Sequence, residues 1–184
     1  MLDRAIIDHA SPTLARLKLG SLINLDIGEG FFGEFARLGD ELRGKGVKLT
    51  ILRLRGGKAL LYVYRPDELE RVLRDEEIRC FMMTCGYSRF DAAGAIQTLR
   101  SRLKDTAAFP HEIGVFLGYP LADVLGFIAN GGRNCLACGC WKVYSDPGCA
   151  LRLFRRFEKC KTVYQRLFAQ GCPLTQLTVA ARPA

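Results

Sequence analysis

Apolar positions recur along the chain with two periods. Residues 47–54 alternate apolar with polar and slip phase near Ile51, and after Arg55-Gly56-Gly57-Lys58 the run 59–64 is apolar and rich in aromatics. This predicts a β-hairpin with a bulge in its first strand. Helical spacing accounts for most of the rest. Phe35, Leu38 and Leu42 mark a helix that follows the glycines of 28–33 and stops at Arg43-Gly44-Lys45-Gly46. Pro66 opens a helix facing inward with Leu69, Val72 and Leu73, and Asp75 caps the next, which carries Ile78, Phe81, Met82 and Cys85 to Gly86. Ser88 and Asp91 have capping-box spacing, predicting a third helix to about Lys104.

Toward the ends the pattern is shorter. Ser11-Pro12 reads as a helix start, with Leu14, Leu17 and Leu19 running to Gly20. Residues 110–120, apolar and glycine-bearing between two prolines, suit a buried strand or an irregular turn of helix. Leu121, Val124, Leu125 and Ile128 form a helical stripe ended by Asn130-Gly131-Gly132. Residues 141–144 suit a short strand, and Asp146-Pro147 opens a long final helix with Leu153, Phe157, Cys160, Tyr164 and Leu167. A loose tail is expected over 173–184. A hairpin, then helices, then one or two short apolar segments predict an α+β fold: a small antiparallel sheet packed with several helices.

Composition narrows the class. The 184 residues are 49% hydrophobic, enough for one core over 1–184 without disulfide or metal staples. The opening residues 1–12 carry acids and a proline where a secretory signal needs a basic and then an unbroken apolar stretch, so a cytoplasmic chain is expected. The most apolar run, 113–129, is interrupted by Pro120 and Asp123 and is too short to span a bilayer. The net charge of +8 is concentrated near the end: Arg152, Arg155, Arg156, Lys159, Lys161 and Arg166 face one acid, Glu158, between 151 and 170. An ordinary solvated face is the default reading, with an acidic partner or phosphate the alternative. Nucleic acid is not expected, because no zinc-finger, helix-turn-helix or RNP pattern is present.

The eight cysteines then matter as thiols or ligands, since a cytosolic chain keeps them reduced. Cys135-Leu-Ala-Cys138-Gly-Cys140 follows a glycine-softened loop, and cysteines at this spacing can aim two sulfurs at one zinc or iron–sulfur site. Further ligands would come from Cys149, Cys160, Cys172, Cys80, Cys85 or His111. Burial as small apolar residues competes with that reading, and Cys160 on the stripe of the last helix fits burial well. His111, beside Glu112, is the second candidate: with a thiolate such as Cys138 it would serve as a general base, or as a metal ligand. If the segment is extended, His111 and Glu112 point to opposite faces and do not cooperate. The glycines of 28–33 resemble a phosphate loop without its Lys-Ser/Thr.

Longer motifs carry a family resemblance. Phe109-Pro-His-Glu-Ile-Gly-Val-Phe-Leu-Gly-Tyr-Pro120, Asp123-Val124, Gly126-Phe127-Ile128, Asn134-Cys135, Cys138-Gly139 with Trp141-Lys-Val-Tyr144, Lys159-Cys160 and Tyr164 resemble an uncharacterised bacterial family classed as a domain of unknown function. Residues 59–66 and 11–15 are similar to its pattern as well. The resemblance implies a setting in anaerobic bacteria near flavodoxin-like and iron-uptake genes. It also implies that Cys135, Cys138 and Cys160 are the regular positions, whereas the position of Cys140 is usually aromatic. Three functions therefore stand: a redox or iron-metabolism accessory protein using Cys135, Cys138 and Cys160 as thiols or metal ligands; an enzyme using His111, Glu112 and Cys138 on a small anionic substrate; or an interaction module without chemistry. The basic helix, through Arg152, Arg156 and Lys159, is expected to dock an acidic protein such as a flavodoxin.

Overall fold

The computed structural model describes residues 2–105 and 109–181. The chain divides into two compact units, Met1–Leu69 with Cys160–Ala184, and Glu70–Lys159.

The first unit begins with α1 (Leu2–Leu14), whose Ile6, Ile7, Ala10 and Leu14 are buried at helical spacing. This corrects the expected start at Ser11-Pro12. Proline is here in the last turn of a helix, where the Ser11 hydroxyl donates back to Ile7 O and the chain leaves through Arg16 at φ 56°. The strand β1 (Gly20–Asp26) follows, an element the leucine spacing of 14–19 concealed. Its Ile23 and Leu25 join the apolar cluster. Helix α2 (Phe31–Arg43) precedes the expected hairpin of β2 (Lys48–Arg55) and β3 (Lys58–Tyr64). Gly56 and Gly57, at φ 56° and 71°, turn it, and the register shifts between Ile51 and Arg53, the bulge read from the phase slip.

The sheet has the order β1-β3-β2, all antiparallel, so the apolar β3 lies in the middle. Ala59, Leu61 and Val63 pack with Ile6, Ile7, Leu38, Leu42, Leu174 and Leu177. The last two belong to α9 (Leu174–Leu177), so the tail is not loose through 181: Val179 N donates to Leu14 O and Ala181 N to Lys45 O. Residues 182–184 of the expected tail lie outside the described residues. Arg65, with no exposed surface, ties the same segments together, donating to the carbonyls of Thr13 (3.0 Å), Leu14 (2.6 Å), Lys45 (2.8 Å) and Val179 (2.7 Å).

The second unit holds α4 (Glu76–Thr84), α5 (Ala92–Asp105), α6 (Ile113–Phe116), α7 (Leu121–Ala129) and a two-stranded ribbon, β4 (Ala137–Cys138) with β5 (Lys142–Val143). The division falls within α3 (Pro66–Leu73) and α8 (Pro147–Ala169). The capping signals are met at Asp75, which accepts from Ile78 N, and at Asp146, which accepts from Cys149 N. The cap of α5 is Asp91 rather than Ser88, its carboxylate accepting from Gly94 N at 2.8 Å. Of the two readings of 110–120, the turn of helix is the one present, as the four residues of α6. In α7 the expected core stripe is half wrong: Asp123 and Val124 are buried, whereas Leu125 and Ile128 are exposed. No helix of the described residues is long and apolar enough to cross a membrane. Helices with small antiparallel sheets of three and two strands make this an α+β protein.

Candidate functional site

Three close approaches in the second unit lie beside one of its clefts, and each needs a glycine. A Cβ at Gly114 in α6 would lie 2.7 Å from Val124 Cγ2 of α7, and one at Gly126 would lie 2.4 Å from Tyr144 Cβ. A Cβ at Gly139 would lie 2.3 Å from the Phe154 ring of α8. Helix α6, helix α7 and the β4–β5 ribbon can therefore approach closely enough to leave a cleft of about 380 Å³ among their aromatics.

Trp141 is the centre of this cleft. Its ring stacks on Tyr119, centroids 4.9 Å apart, and meets Phe154 edge-on at 4.5 Å. The indole N–H donates to Asp123 Oδ2 at 2.7 Å, and Asp123 Oδ1 accepts from Tyr144 N, Ser145 N and the Ser145 hydroxyl, each at 2.8 Å. Burial alone would raise the Asp123 carboxyl, but these donors hold it below its ordinary value. Asp123 thus pins the ribbon to α7, with both oxygens occupied. The Tyr119 hydroxyl donates to Cys140 O, and burial followed by the Cys140 charge pushes its phenol up to about 12.

Around this aromatic floor, with Asp123, stand His111, Cys138 and Lys142. The His111 ring lies edge-on to Phe127 at 5.0 Å. Lys142 pairs with Cys138 across the ribbon, so the two side chains share a face. Its ammonium donates to Gly132 O at 2.6 Å and lies 5.9 Å from the Phe127 centroid. Such a site can stack a flat apolar body, meet a negative group with an ammonium and present a thiol.

The sequence-predicted residues divide. His111 and Cys138 are brought together on the cleft; Glu112 is not. Glu112 is buried, accepts from Arg102 Nε and from the Tyr87 hydroxyl at 3.3 Å, and does not line the cleft. The turn into α6 sends these neighbours different ways, and the expected catalytic set loses its carboxylate. Cys135 is half-buried outside the cleft lining. Cys160 belongs to the first unit, where burial pushes its thiol up to about 11. Among the described residues no three side chains of His, Cys, Asp or Glu are grouped so as to hold a metal ion. Arg152, Arg156 and Lys159 are exposed on α8, as is Arg155.

A model of the family described as "Protein of unknown function (DUF3793)" matches residues 6–178. The chain belongs to the DUF3793 family. No curated protein matches it, and no solved structure matches it. The match covers both units of this DUF3793 protein, the cleft included. Sequence reasoning missed Tyr119, Asp123, Phe127, Trp141 and Lys142 as parts of one site. Their shared signal was aromatics alternating with glycines over 114–144, which marks close approach rather than loose loop.

Proposed function

We propose that this DUF3793 protein binds a small, flat, negatively charged molecule in the Trp141 cleft, with Cys138 as the thiol presented to it. The observation that carries this reading is the joint presence of Cys138, His111 and Lys142 around the Trp141, Tyr119 and Phe127 rings. A volume of about 380 Å³ suits a molecule of one or two fused rings. Lys142 meets its carboxylate or similar anion. His111 takes the Cys138 proton as sulfur forms its bond to an electrophilic carbon of the ligand, and returns that proton to the adduct. The alternative, a zinc or iron–sulfur centre in a redox or iron-metabolism accessory protein, draws less support, because among the described residues no third ligand is grouped with the two cysteines.

Trp141 is the sole tryptophan, so its fluorescence reports on the cleft. Titration with naphthalene-2-carboxylate is expected to quench it saturably, with the neutral 2-naphthamide about tenfold weaker. Lys142→Gln should erase that preference. No saturable response to naphthalene-2-carboxylate, or equal binding of acid and amide by the unaltered protein, would count against the reading.

The exposed Arg152, Arg155, Arg156 and Lys159 recur at helical spacing on one side of α8, which supports docking of an acidic protein such as a flavodoxin. Binding at low salt should weaken steeply between about 0.1 M and about 1 M salt, as the Debye length falls from about 10 Å to about 3 Å. Changing Arg152, Arg156 and Lys159 to Glu should abolish it. Binding to a flavodoxin that ignores both salt and charge reversal would leave this face an ordinary solvated one, and a DNA duplex run alongside separates the nucleic-acid alternative.

A further inference from the structure

Helix α7 has two faces with different fates. Asp123, Val124 and Phe127 line the Trp141 cleft. The opposite face carries Leu121, Leu125 and Ile128, spaced by four and then three residues, which is one stripe of a helix. In the sequence this stripe has the pattern of a core, yet Leu125 is 44% exposed and Ile128 42%. Beside it α7 and α4 border an open groove of about 500 Å³, lined by Leu121, Leu125, Phe81 and Cys80 with Glu76 and Glu77. An apolar stripe with a charged border is the make-up of a surface that another chain covers.

The charges indicate which chain. Glu76 and Glu77 belong to the groove at the Leu121 and Leu125 end of the stripe, whereas the exposed Arg133 follows the turn that closes the Ile128 end. Among the described residues none of these three has an ion-pair partner. The one charged residue within α7, Asp123, is buried on the other side. The face is therefore acidic at one end, apolar in the middle and basic at the other. A two-fold axis beside Leu125 lays a second α7 antiparallel on the first, so that Arg133 meets Glu76 and Glu77 of the partner subunit and the acids meet the partner's Arg133. A parallel pairing would set like charges together. The basic side of α8 has no such self-complementarity, because its bases would face their own copies.

We infer that this face joins two copies of the chain, the Leu121-Leu125-Ile128 stripe of one packing antiparallel on the same stripe of the other. Burial of the stripe and of the groove supplies the attraction. The ion pairs are exposed, so they set the direction of pairing more than its strength, and antiparallel helix dipoles favour the same direction. A helix of 9 residues covers less surface than a permanent dimer needs, so the association is weak and depends on concentration. It does not depend on what the Trp141 cleft binds.

Sedimentation velocity on the full chain, reduced to prevent disulfide cross-links, tests this from about 1 µM to about 500 µM. The unaltered chain should pass from monomer to dimer and stop there, as closed two-fold pairing requires. Leu125→Asp should weaken the dimer about 100-fold or more. Arg133→Glu alone, or Glu76→Arg with Glu77→Arg, should each weaken it about tenfold, and all three changes in one chain should restore it. Unchanged Trp141 emission shows that each variant is folded. A chain still monomeric at about 500 µM, a dimer indifferent to Leu125→Asp, or three combined changes that restore nothing would each overturn the inference. So would growth beyond a dimer, or an association abolished by changing Arg152, Arg156 and Lys159 to Glu, which would place the contact on α8. If Leu125→Asp does not fold, the unaltered chain supplies a second reading. Iodoacetamide should label Cys80, in the groove, about tenfold more slowly at the highest protein concentration than at the lowest, while Cys149 keeps its rate. Equal Cys80 rates at both concentrations overturn the proposal.

Discussion

Replacing Arg65 by Leu is expected to lower the stability of the first unit by about 3–5 kcal/mol. Arg65 has no exposed surface and gives its donors to four main-chain carbonyls, those of Thr13, Leu14, Lys45 and Val179. Burial, and then the Arg16 charge, pull its guanidinium down to about 10, which still leaves it cationic at neutral pH. Leucine fills part of the volume and none of the donor positions. Lysine keeps a charge but not the planar fork that reaches several carbonyls, so Arg65→Lys should recover only part of the loss. Urea unfolding measures the total, and hydrogen exchange at Val179 and Ala181, which bond Leu14 and Lys45, should rise first. Stability within about 0.5 kcal/mol of the unaltered chain would show that the four carbonyls do not depend on this side chain.

Asp123→Asn is expected to release the ribbon from α7, at about 2–4 kcal/mol and with a red shift of Trp141 emission. The amide can still accept at one oxygen, but its NH₂ meets the Trp141 indole N–H donor head-on, where the carboxylate accepted at 2.7 Å. The dependence on pH follows from the direction of the shift. The folded carboxyl is held below 3.8, so its contribution is complete above that value and is lost as pH falls through the lowered value. Trp141 emission in the unaltered protein should therefore hold to below about pH 3.8 before moving to the red. The Asn variant should already be shifted and show no such acid transition. An Asn variant with unaltered emission would mean that Trp141 is fixed by Tyr119 and Phe154 alone.

The two units were legible to different degrees, for physical reasons. The hairpin could be read because β3 is central and almost wholly buried, so that its apolar run and the phase slip of β2 both reach the surface of the sequence. The helices after Pro66 and Asp75 carried their own start signals, which act locally. Strand β1 and helix α1 escape the sequence reading because Pro12 marks starts more often than last turns, and because the pairing Gly20↔Tyr64 joins residues far apart in the chain. Single-residue patterns hold no trace of such a partner. The order of the tail is hidden from sequence for the same reason: the partners of Val179 and Ala181 are the carbonyls of Leu14 and Lys45, far away in the chain.

The cleft shows the same limit. His111 and Cys138 could be named because few residue types do chemistry, but their meeting depends on Gly114 and Gly139 admitting neighbours that no periodicity describes. The helix α7 inverted its expected stripe because Asp123 found four donors, enough to bury a carboxylate, while Leu125 and Ile128 stayed exposed. A buried charge with its partners elsewhere in the chain looks, in sequence, like an ordinary first-turn acid. Glu112 was attractive as a catalytic neighbour for the same reason, and its pairing with Arg102 and Tyr87 removes it.

The central claim is that Cys138 is the thiol of a cleft that takes a flat anion. The measurement that meets it most directly is the alkylation rate of each cysteine, by mass spectrometry, with and without saturating naphthalene-2-carboxylate. Cys138 should be protected by about tenfold or more, while the exposed Cys80 and Cys149 in the same sample react at unchanged rates. Equal alkylation of Cys138 in the presence and absence of a probe that saturates Trp141 fluorescence would contradict it.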